Sequence, residues 1–477
     1  MRLSTSDRAE AFLAGDRPWS SGLLIDVGST FTKIMVIDPS GAVLGRAESS
    51  TTIDNDVMDG ITAAIANLPA DLQGPWDWAL ASSSAAGGLR MASVGLTEAL
   101  SGRAGSLAAF GAGGKVVATA HGFLDDEAIA RIDAEKPHLV LLAGGLDGGN
   151  SAALIHNAEQ LARLKTPHGY IVAGNASAAQ EAADKLRDGS RDVRVVDNVF
   201  PRAGEIAIMA TRDTVRDLFL RHITRAKGLE GMMETFRTDC EPTPLAVSLA
   251  LAHLPGDGGP VVFVDLGGAT TDVHSLGGVR PDQRKVEIPE PEIMRSVEGD
   301  LGMRWGAPGT VASMTSASRA VVESRLSCNL EDEANRRRDD PAFLPENDHD
   351  RAVDRALAEA AVAIAIERHA GKVVVRHRPW GDRYQVTGKD LRPTRIVVGI
   401  GGALRHGAEP VGLIGDAIAG IEGAQVPRNP AIAIDQSYAL YATGLIARHS
   451  PTLARALAAG TLRLDASPHI TPEVQAS

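Results

Sequence analysis

Short apolar runs recur along the chain, and most of them stop at a glycine, an aspartate or a cluster of small polar residues. Leu23-Leu24-Ile25 runs into Asp26, Ile34-Met35-Val36-Ile37 into the turn Asp38-Pro39-Ser40-Gly41, and Val261-Val262-Phe263-Val264 into Asp265. Runs this short, bounded by turn-forming residues, predict β-strands. Ala42-Val43-Leu44 completes a hairpin with 34–37, and Trp78-Ala79-Leu80-Ala81 is a further strand. The run 137–143 predicts a buried strand ending in Gly144-Gly145, followed by a helix over 151–164. Strands at 170–173 and 193–196 and another at 396–400 repeat that rhythm. Apolar residues at helical spacing predict helices over 56–68 and 353–369. Strands alternating with helices, with turns at strand C-terminal ends, predict an α/β protein whose ligands lie at those ends.

Length changes the picture first: 477 residues suggest two domains. The pattern restarts at Val261, so the expected organisation is an arm over 1–20, a first domain over 21–245, a second over 246–460 and a tail over 461–477. The arm is expected to be loosely packed and the tail exposed and partly disordered. The charged stretch 329–351, with its Arg336-Arg337-Arg338 run, reads as a solvated surface loop. A net charge of −12 argues against a non-specific nucleic-acid or anionic-membrane binder. Two cysteines form no disulfide framework or CxxC metal pair, and the first twenty residues lack an apolar signal core. No uninterrupted apolar run is long enough to span a bilayer. A cytoplasmic protein is the expectation.

The chemistry-bearing feature is a repeated loop. Asp26-Val27-Gly28-Ser29-Thr30-Phe31-Thr32-Lys33 returns as Asp265-Leu266-Gly267-Gly268-Ala269-Thr270-Thr271-Asp272, with Asp, Gly and Thr in register. Small residues let a polyanion approach backbone N–H groups, hydroxyls add donors, and the leading carboxylates Asp26 and Asp265 suit a hydrated Mg²⁺ beside phosphates. Candidate phosphate-binding positions are therefore Gly28, Ser29, Thr30, Thr32 and Lys33, with Gly267, Gly268, Ala269, Thr270 and Thr271. Lys33 is either a point charge for a phosphate oxygen or a solvated strand lysine. A third element, Gly399-Ile400-Gly401-Gly402, suits a site where adenosine packs on backbone, with Gly399, Gly401 and Gly402 as its candidates. A packing turn reads the same way.

The order phosphate, phosphate, adenosine resembles the actin, Hsp70 and sugar-kinase superfamily of ATPases. Ala81-Ser82-Ser83-Ser84-Ala85-Ala86-Gly87-Gly88-Leu89, 141–150, 264–275 and Val297-Glu298-Gly299-Asp300-Leu301-Gly302-Met303-Arg304 narrow the likeness. Together with 26–33 they resemble the glutamate mutase L (MutL) family, in order from about Leu23 to about Arg448, with Leu146 standing where a Thr is expected. The resemblance implies two ribonuclease-H-like, actin-like ATPase domains with a nucleotide cleft between them, binding ATP and Mg²⁺. It also implies an accessory role beside the subunits of an adenosylcobalamin-dependent mutase, similar to reactivases that use ATP to expel damaged cobalamin. The hydantoinase and oxoprolinase ATP-dependent hydrolases are also similar. A small-molecule kinase or a non-hydrolysing nucleotide scaffold uses the same loops.

Asp272 and Asp147 are candidates for orienting water or metal, although Asp147 equally forms a turn. Glu241, in Cys240-Glu241-Pro242-Thr243-Pro244, looks like the carboxylate that Hsp70-type ATPases offer to the attacking water, or is a linker residue. Glu298–Arg304 has no chemistry legible from its spacing. Two motifs are set aside. Gly111-Ala112-Gly113-Gly114-Lys115 has Ala109 where a phosphate-binding Walker loop needs Gly and Val116 where it needs a hydroxyl. Asp272-Val273-His274-Ser275-Leu276-Gly277 matches the letters of a cobalamin-binding pattern but leads out of a phosphate loop into a strand, and His274 reads as structural.

Overall fold

A computed structural model describes residues 5–15, 17–28, 31–52, 56–84, 89–97, 104–105, 107–108, 114–167, 169–187, 191–202, 205–226, 229–254, 259–277, 292–376 and 383–462. The expectations for Ser29, Thr30, residues 85–88, the turn 111–113 and the tail beyond 462 lie outside these residues. The chain forms two units: Met1–Val247 with Gly444–Leu453, and Ser248–Thr443 with Ala454–Ser477.

The first unit contains a five-stranded sheet of β1 (Gly22–Val27), β2 (Phe31–Ile37), β3 (Val43–Ser50), β4 (Trp78–Ser83) and, late in the chain, β10 (Cys240–Pro242). Its order is β10-β4-β1-β2-β3. β1, β2 and β3 are antiparallel neighbours, whereas β4 runs parallel to β1 and β10 parallel to β4. Leu23, Ile25, Val27, Ile34 and Val36 point to one face and pack on the helix Val57–Ala66 through Val57, Ile61 and Ala64. Asp56 caps that helix by accepting the Met58 N–H.

Between β4 and β10 lies a second sheet that the sequence pattern did not separate from the first. It comprises β5 (Arg90–Gly95), β6 (Lys115–His121), β7 (Leu139–Gly144), β8 (Gly169–Gly174) and β9 (Asp192–Val195), all parallel, in the order β6-β5-β7-β8-β9. Val140, Leu142 and Val172 enter one core, and Leu139, Leu141 and Ile171 the other. A parallel sheet covered on both faces has no polar side, which is why 139–143 reads as an unbroken apolar run. Lys115 opens β6 rather than the helix that would follow a Walker loop.

The second unit repeats the first unit's mixed sheet. β11 (Val261–Leu266), β12 (Thr271–Leu276) and β13 (Ile293–Glu298) are antiparallel; β16 (Ile396–Ile400) and β17 (Ala431–Ile434) extend β11 in parallel. The order β13-β12-β11-β16-β17 is that of β3-β2-β1-β4-β10. The two ribonuclease-H-like sheets expected from the loop repeat are therefore present. The helix Asp348–His369 packs Val353, Leu357, Ala361, Val362 and Ile366 into this unit's core. A separate hairpin is formed by β14 (Lys372–Arg376) and β15 (Arg383–Thr387).

Two expectations are corrected. The arm contains the helix Thr5–Leu13, with Ala9 and Leu13 buried, and Trp19 stacks edge-on against Trp78 at 5.2 Å. The charged stretch 329–351 contains the helix Leu330–Asp339, capped by Asn329, and Arg337 is fully buried. Most of the stretch is exposed as its composition suggests, but Arg337 is drawn into the fold by Glu333 and Asp354. No described helix is long and apolar enough to cross a membrane.

Candidate nucleotide site

Each repeated loop closes the hairpin at the end of its sheet's central strand. In the first, the Gly28 N–H donates to the Phe31 carbonyl at 3.1 Å; in the second, the Gly267 N–H donates to the Thr270 carbonyl at 2.9 Å. The pairing matches residue for residue: Asp26 opposite Lys33 and Val27 opposite Thr32, then Asp265 opposite Asp272 and Leu266 opposite Thr271. The sequence repeat is thus a repeat in three dimensions.

Asp26, next to last in β1, has its carboxylate buried. Its Oδ1 accepts from Ser82 Oγ at 2.9 Å and from Thr243 Oγ1, and Oδ2 lies 3.7 Å from Lys33 Nζ. Ser82 comes from β4, and Thr243 opens the helix Thr243–Ala250 that follows β10. Neither was singled out from the sequence. The serine run gave a clue to Ser82, but Thr243 meets Asp26 only because β10 joins the sheet beside β4. Lys33 is held by Asp26 and partly exposed, so it keeps a face toward solvent.

The structure turns two candidates inward. Thr32 and Thr271 are fully buried; the Thr32 hydroxyl pairs with Thr51 Oγ1 at 3.0 Å, and Thr271 Oγ1 donates to the Leu301 carbonyl at 3.1 Å. Strand side chains alternate between faces, so Asp26 with Lys33 and Asp265 with Asp272 share one face and the threonines take the other. Their hydroxyls serve the fold rather than a phosphate.

The second cradle is bounded by a segment whose role was illegible. The Met303 N–H donates to the Gly267 carbonyl at 3.0 Å, and the Arg304 and Gly306 N–H groups donate to the Gly268 carbonyl at 2.7 and 3.1 Å. A Cβ on Gly302 would lie 2.7 Å from the Gly268 carbonyl oxygen, and one on Gly306 would lie 2.5 Å from the Ala269 carbonyl oxygen, so only glycine permits this approach. With the loop's carbonyls engaged behind it, exposed Gly268 and Ala269 form the tip. Among the described residues no backbone carbonyl accepts from the N–H groups of Gly268, Ala269 or Thr270. Consecutive backbone N–H groups left without backbone acceptors are what an anion-binding nest requires.

Gly401 borders the second loop, whereas Gly399 is a packing glycine, where a Cβ would meet the Ile414, Ile434 and Leu404 side chains at 2.7, 2.8 and 3.0 Å. β16 pairs Gly399 with Val264 and Ile400 with Asp265, and Gly401, at φ +102°, lies against the Leu266 carbonyl and Asp265 Oδ1. Gly402 starts a short helix and faces open space, with the Tyr438 hydroxyl as its nearest neighbour at 3.8 Å from a notional Cβ. Arg405 stacks on the Tyr438 ring at 4.5 Å. Tyr438 has φ +50°, strained for a residue with a side chain, and sequence pattern gave no signal for it.

Asp272 receives Arg295 Nη2 on Oδ2 at 2.6 Å, while its buried Oδ1 has no hydrogen-bond partner among the described residues. A free carboxylate oxygen beside Asp265 suits a hydrated cation. No three His, Cys, Asp or Glu side chains among the described residues converge on a metal by themselves. Asp265 and Asp272 are the carboxylates that could serve Mg²⁺, which keeps waters and takes one or two carboxylates together with phosphate oxygens. Nearby, Arg368 bridges Glu298 and Asp300 at 2.8 and 2.9 Å. Burial raises Glu298 against the pull of Arg368, whereas at Asp300 Arg368 and Ser313 outweigh burial and hold the carboxyl below its ordinary value.

Of two other candidates, Asp147 is placed elsewhere, whereas Glu241 stands in register with Ser82 and so in the same row as Asp26. Asp147 follows β7 of the parallel sheet, where its Oδ1 accepts from the Ala176 N–H at 2.9 Å and Asn198 Nδ2 at 2.8 Å. These bonds hold its carboxyl below the usual range and tie three turns together. Glu241 pairs with Arg216 through both oxygens and with Arg448 at 2.9 Å, so two guanidinium groups engage it. His274 is buried against Ser248 Oγ at 2.7 Å, with burial holding it neutral, and it lies within β12, so the cobalamin-like letters carry no site.

The family model described as MutL protein matches residues 22–462. Protein MutL of Clostridium tetanomorphum is 34% identical over 451 residues, covering 90% of this chain and 96% of that protein. Among solved structures, nucleotide-free acetone carboxylase matches at a TM-score of 0.42 and 11% identity, over 90% of this chain and 70% of that one. Nucleotide-free diol dehydratase-reactivating factor matches at a TM-score of 0.36 and 11% identity, over 90% of this chain and 100% of that one. Structural likeness at that level decides nothing about chemistry here.

Proposed function

Because the chain belongs to the MutL protein family, we propose that it is an ATP-binding and ATP-hydrolysing accessory protein of an adenosylcobalamin-dependent mutase, acting in the cytoplasm as a reactivase-like chaperone. The observation that carries the nucleotide part is the pair of hairpins with matching strand register, above all the second, whose carbonyls are engaged by Met303, Arg304 and Gly306 while the N–H groups of Gly268, Ala269 and Thr270 donate to no backbone carbonyl among the described residues. In this reading the N–H groups of 267–270 hold phosphates in the second unit, with Gly28 and Lys33 as the corresponding anion site of the first. Gly401 and Gly402 adjoin the adenosine. Asp265 and Asp272 would hold Mg²⁺ in the second unit, through water where their oxygens are already engaged, and Asp26 is the matching carboxylate of the first. The metal supplies charge neutralisation on the transferring phosphoryl group.

The chain's own part is placement. Fixed N–H donors need no reorganisation as charge develops on the phosphoryl oxygens, and an in-line water must be held at the γ-phosphate. Asp272 Oδ1, without a hydrogen-bond partner among the described residues, is the oxygen available to orient that water or a metal-bound one. Glu241, neutralised by two arginines, would serve through its charge network rather than as a base.

The test is release of damaged cobalamin from the cognate mutase, followed by absorbance, with this protein and either ATP or no nucleotide. ATP-dependent release is expected. Release that ignores ATP, or ATP turnover stimulated by a small molecule with no protein partner, would overturn the chaperone reading in favour of a hydrolase or kinase.

A further inference from the structure

Arg304 joins two systems. Its backbone N–H holds the Gly268 carbonyl at 2.7 Å, while its guanidinium donates to the Phe343 carbonyl from Nη2 at 2.9 Å and to Asp354 Oδ2 at 3.2 Å. The other oxygen of Asp354 accepts from Arg337 Nε at 2.6 Å. Arg337 is fully buried, and it also donates to Glu333 Oε2 at 2.6 Å and to the Asp350 carbonyl at 3.2 Å. The Phe343 ring lies under the guanidinium groups of Arg304, Arg336 and Arg337 at 5.6, 4.6 and 4.8 Å.

We infer that Asp354, backed by Arg337, is a positioning residue for the second phosphate loop and acts through Arg304. Burying charges costs desolvation free energy that their attraction often fails to recover, so such a network is poorly explained as a source of stability alone. Geometry gives it another use. With its side chain fixed by Asp354 and Phe343, Arg304 has its backbone fixed too, and the 303–306 segment holds the loop carbonyls inward. Loss of the Asp354 charge frees the guanidinium toward solvent, loosens 303–306 and lets the loop N–H groups turn from the angle a phosphate needs. Preorganised donors depend on such support from behind. The helix Leu330–Asp339, within the charged stretch the sequence marked as a solvated loop, thereby sets nucleotide affinity.

The inference rests on the proposed ATP binding, and the experiment separates the two. Calorimetric titration of the full-length chain with ATP and with AMP, in Mg²⁺, is compared for the unsubstituted protein, Asp354→Asn, Arg304→Met and the double variant. Asp354→Asn is expected to weaken ATP about tenfold, and AMP, which lacks the β- and γ-phosphates, less than about twofold. The double variant is expected to bind ATP no more weakly than Arg304→Met alone, since Asp354 works through that side chain. Unchanged ATP affinity in Asp354→Asn, equal losses for ATP and AMP, or additive losses would each overturn the inference. An unsubstituted protein that binds no ATP defeats the nucleotide reading itself. Should Asp354→Asn fail to fold, Arg304→Lys, which keeps charge but cannot fork, is read by the same ATP-to-AMP comparison; ordinary ATP affinity there overturns the inference.

Discussion

At the residue scale, the two hairpins differ where it matters for chemistry. The position opposite the leading aspartate is Lys33 in the first and Asp272 in the second. One hairpin offers an internally neutralised Asp26, whereas the other sets two carboxylates side by side, a repulsive pair unless a cation lies near. Arg295 answers part of that charge. Asp265→Asn is therefore expected to reduce ATP turnover at least about tenfold, with Mg²⁺ dependence shifted to higher concentration, measured by phosphate release. A second residue-scale expectation concerns His369, buried between Ser275 and Ser296. Burial and, less so, Lys389 lower its value from 6.5 to about 3. The unfolded chain then takes up the proton first on acidification. Its contribution to stability is complete above about 6.5 and is lost as pH falls toward about 3. Melting temperature should fall over that window, and His369→Gln should flatten the fall.

At the scale of elements, the segment Glu298–Arg304 shows why a motif can be plain in sequence and mute in function. Its working groups are backbone N–H groups and, counting Gly306 just beyond it, the absence of two Cβ atoms, and spacing reveals neither. Ser82 and Thr243 pose a related problem, since their hydroxyls meet on Asp26 only after β4 and β10 join β1's sheet. The helix Leu330–Asp339 was misjudged because composition counts charges without pairing them. Its Arg337 is answered by Glu333 and Asp354. Arg337→Met leaves those carboxylates without their common partner and is expected to cost about 3–5 kcal/mol of folding stability in denaturant titration. A cost under about 1 kcal/mol would show that water reaches the pair.

For the whole molecule, the chain's path departs from a simple succession of halves. Leu445 and Ile446, buried in the last long stretch of chain, belong with the first unit, while Ala454, Leu457 and Ala458, also buried, belong with the second. Truncation after Thr443 removes core from both and is expected to give insoluble protein or a melting temperature lower by more than about 10 °C, since several large buried side chains are lost at once. A truncated chain that melts as the full chain does would contradict this division. The parallel sheet β5–β9, between β4 and β10, accounts for the α/β alternation read at 137–196 and carries Asp147 away from the sheet that bears Asp26.

What the sequence determined by itself was local and periodic: strands ending at Asp26 and Asp265, the tight turns after them, their repetition, and a family likeness spanning most of the chain. Those properties depend on side-chain period, glycine placement and turn chemistry within a few residues, so one linear stretch specifies them. The tertiary structure decided which face each side chain took, which put Asp272 beside Asp265 and buried Thr32 and Thr271. It also decided what lay behind each loop, bringing Ser82, Thr243, Arg304 and Asp354 into place from distant positions. Such contacts depend on sheet order and on pairing of buried charges, and neither leaves a mark in composition or spacing.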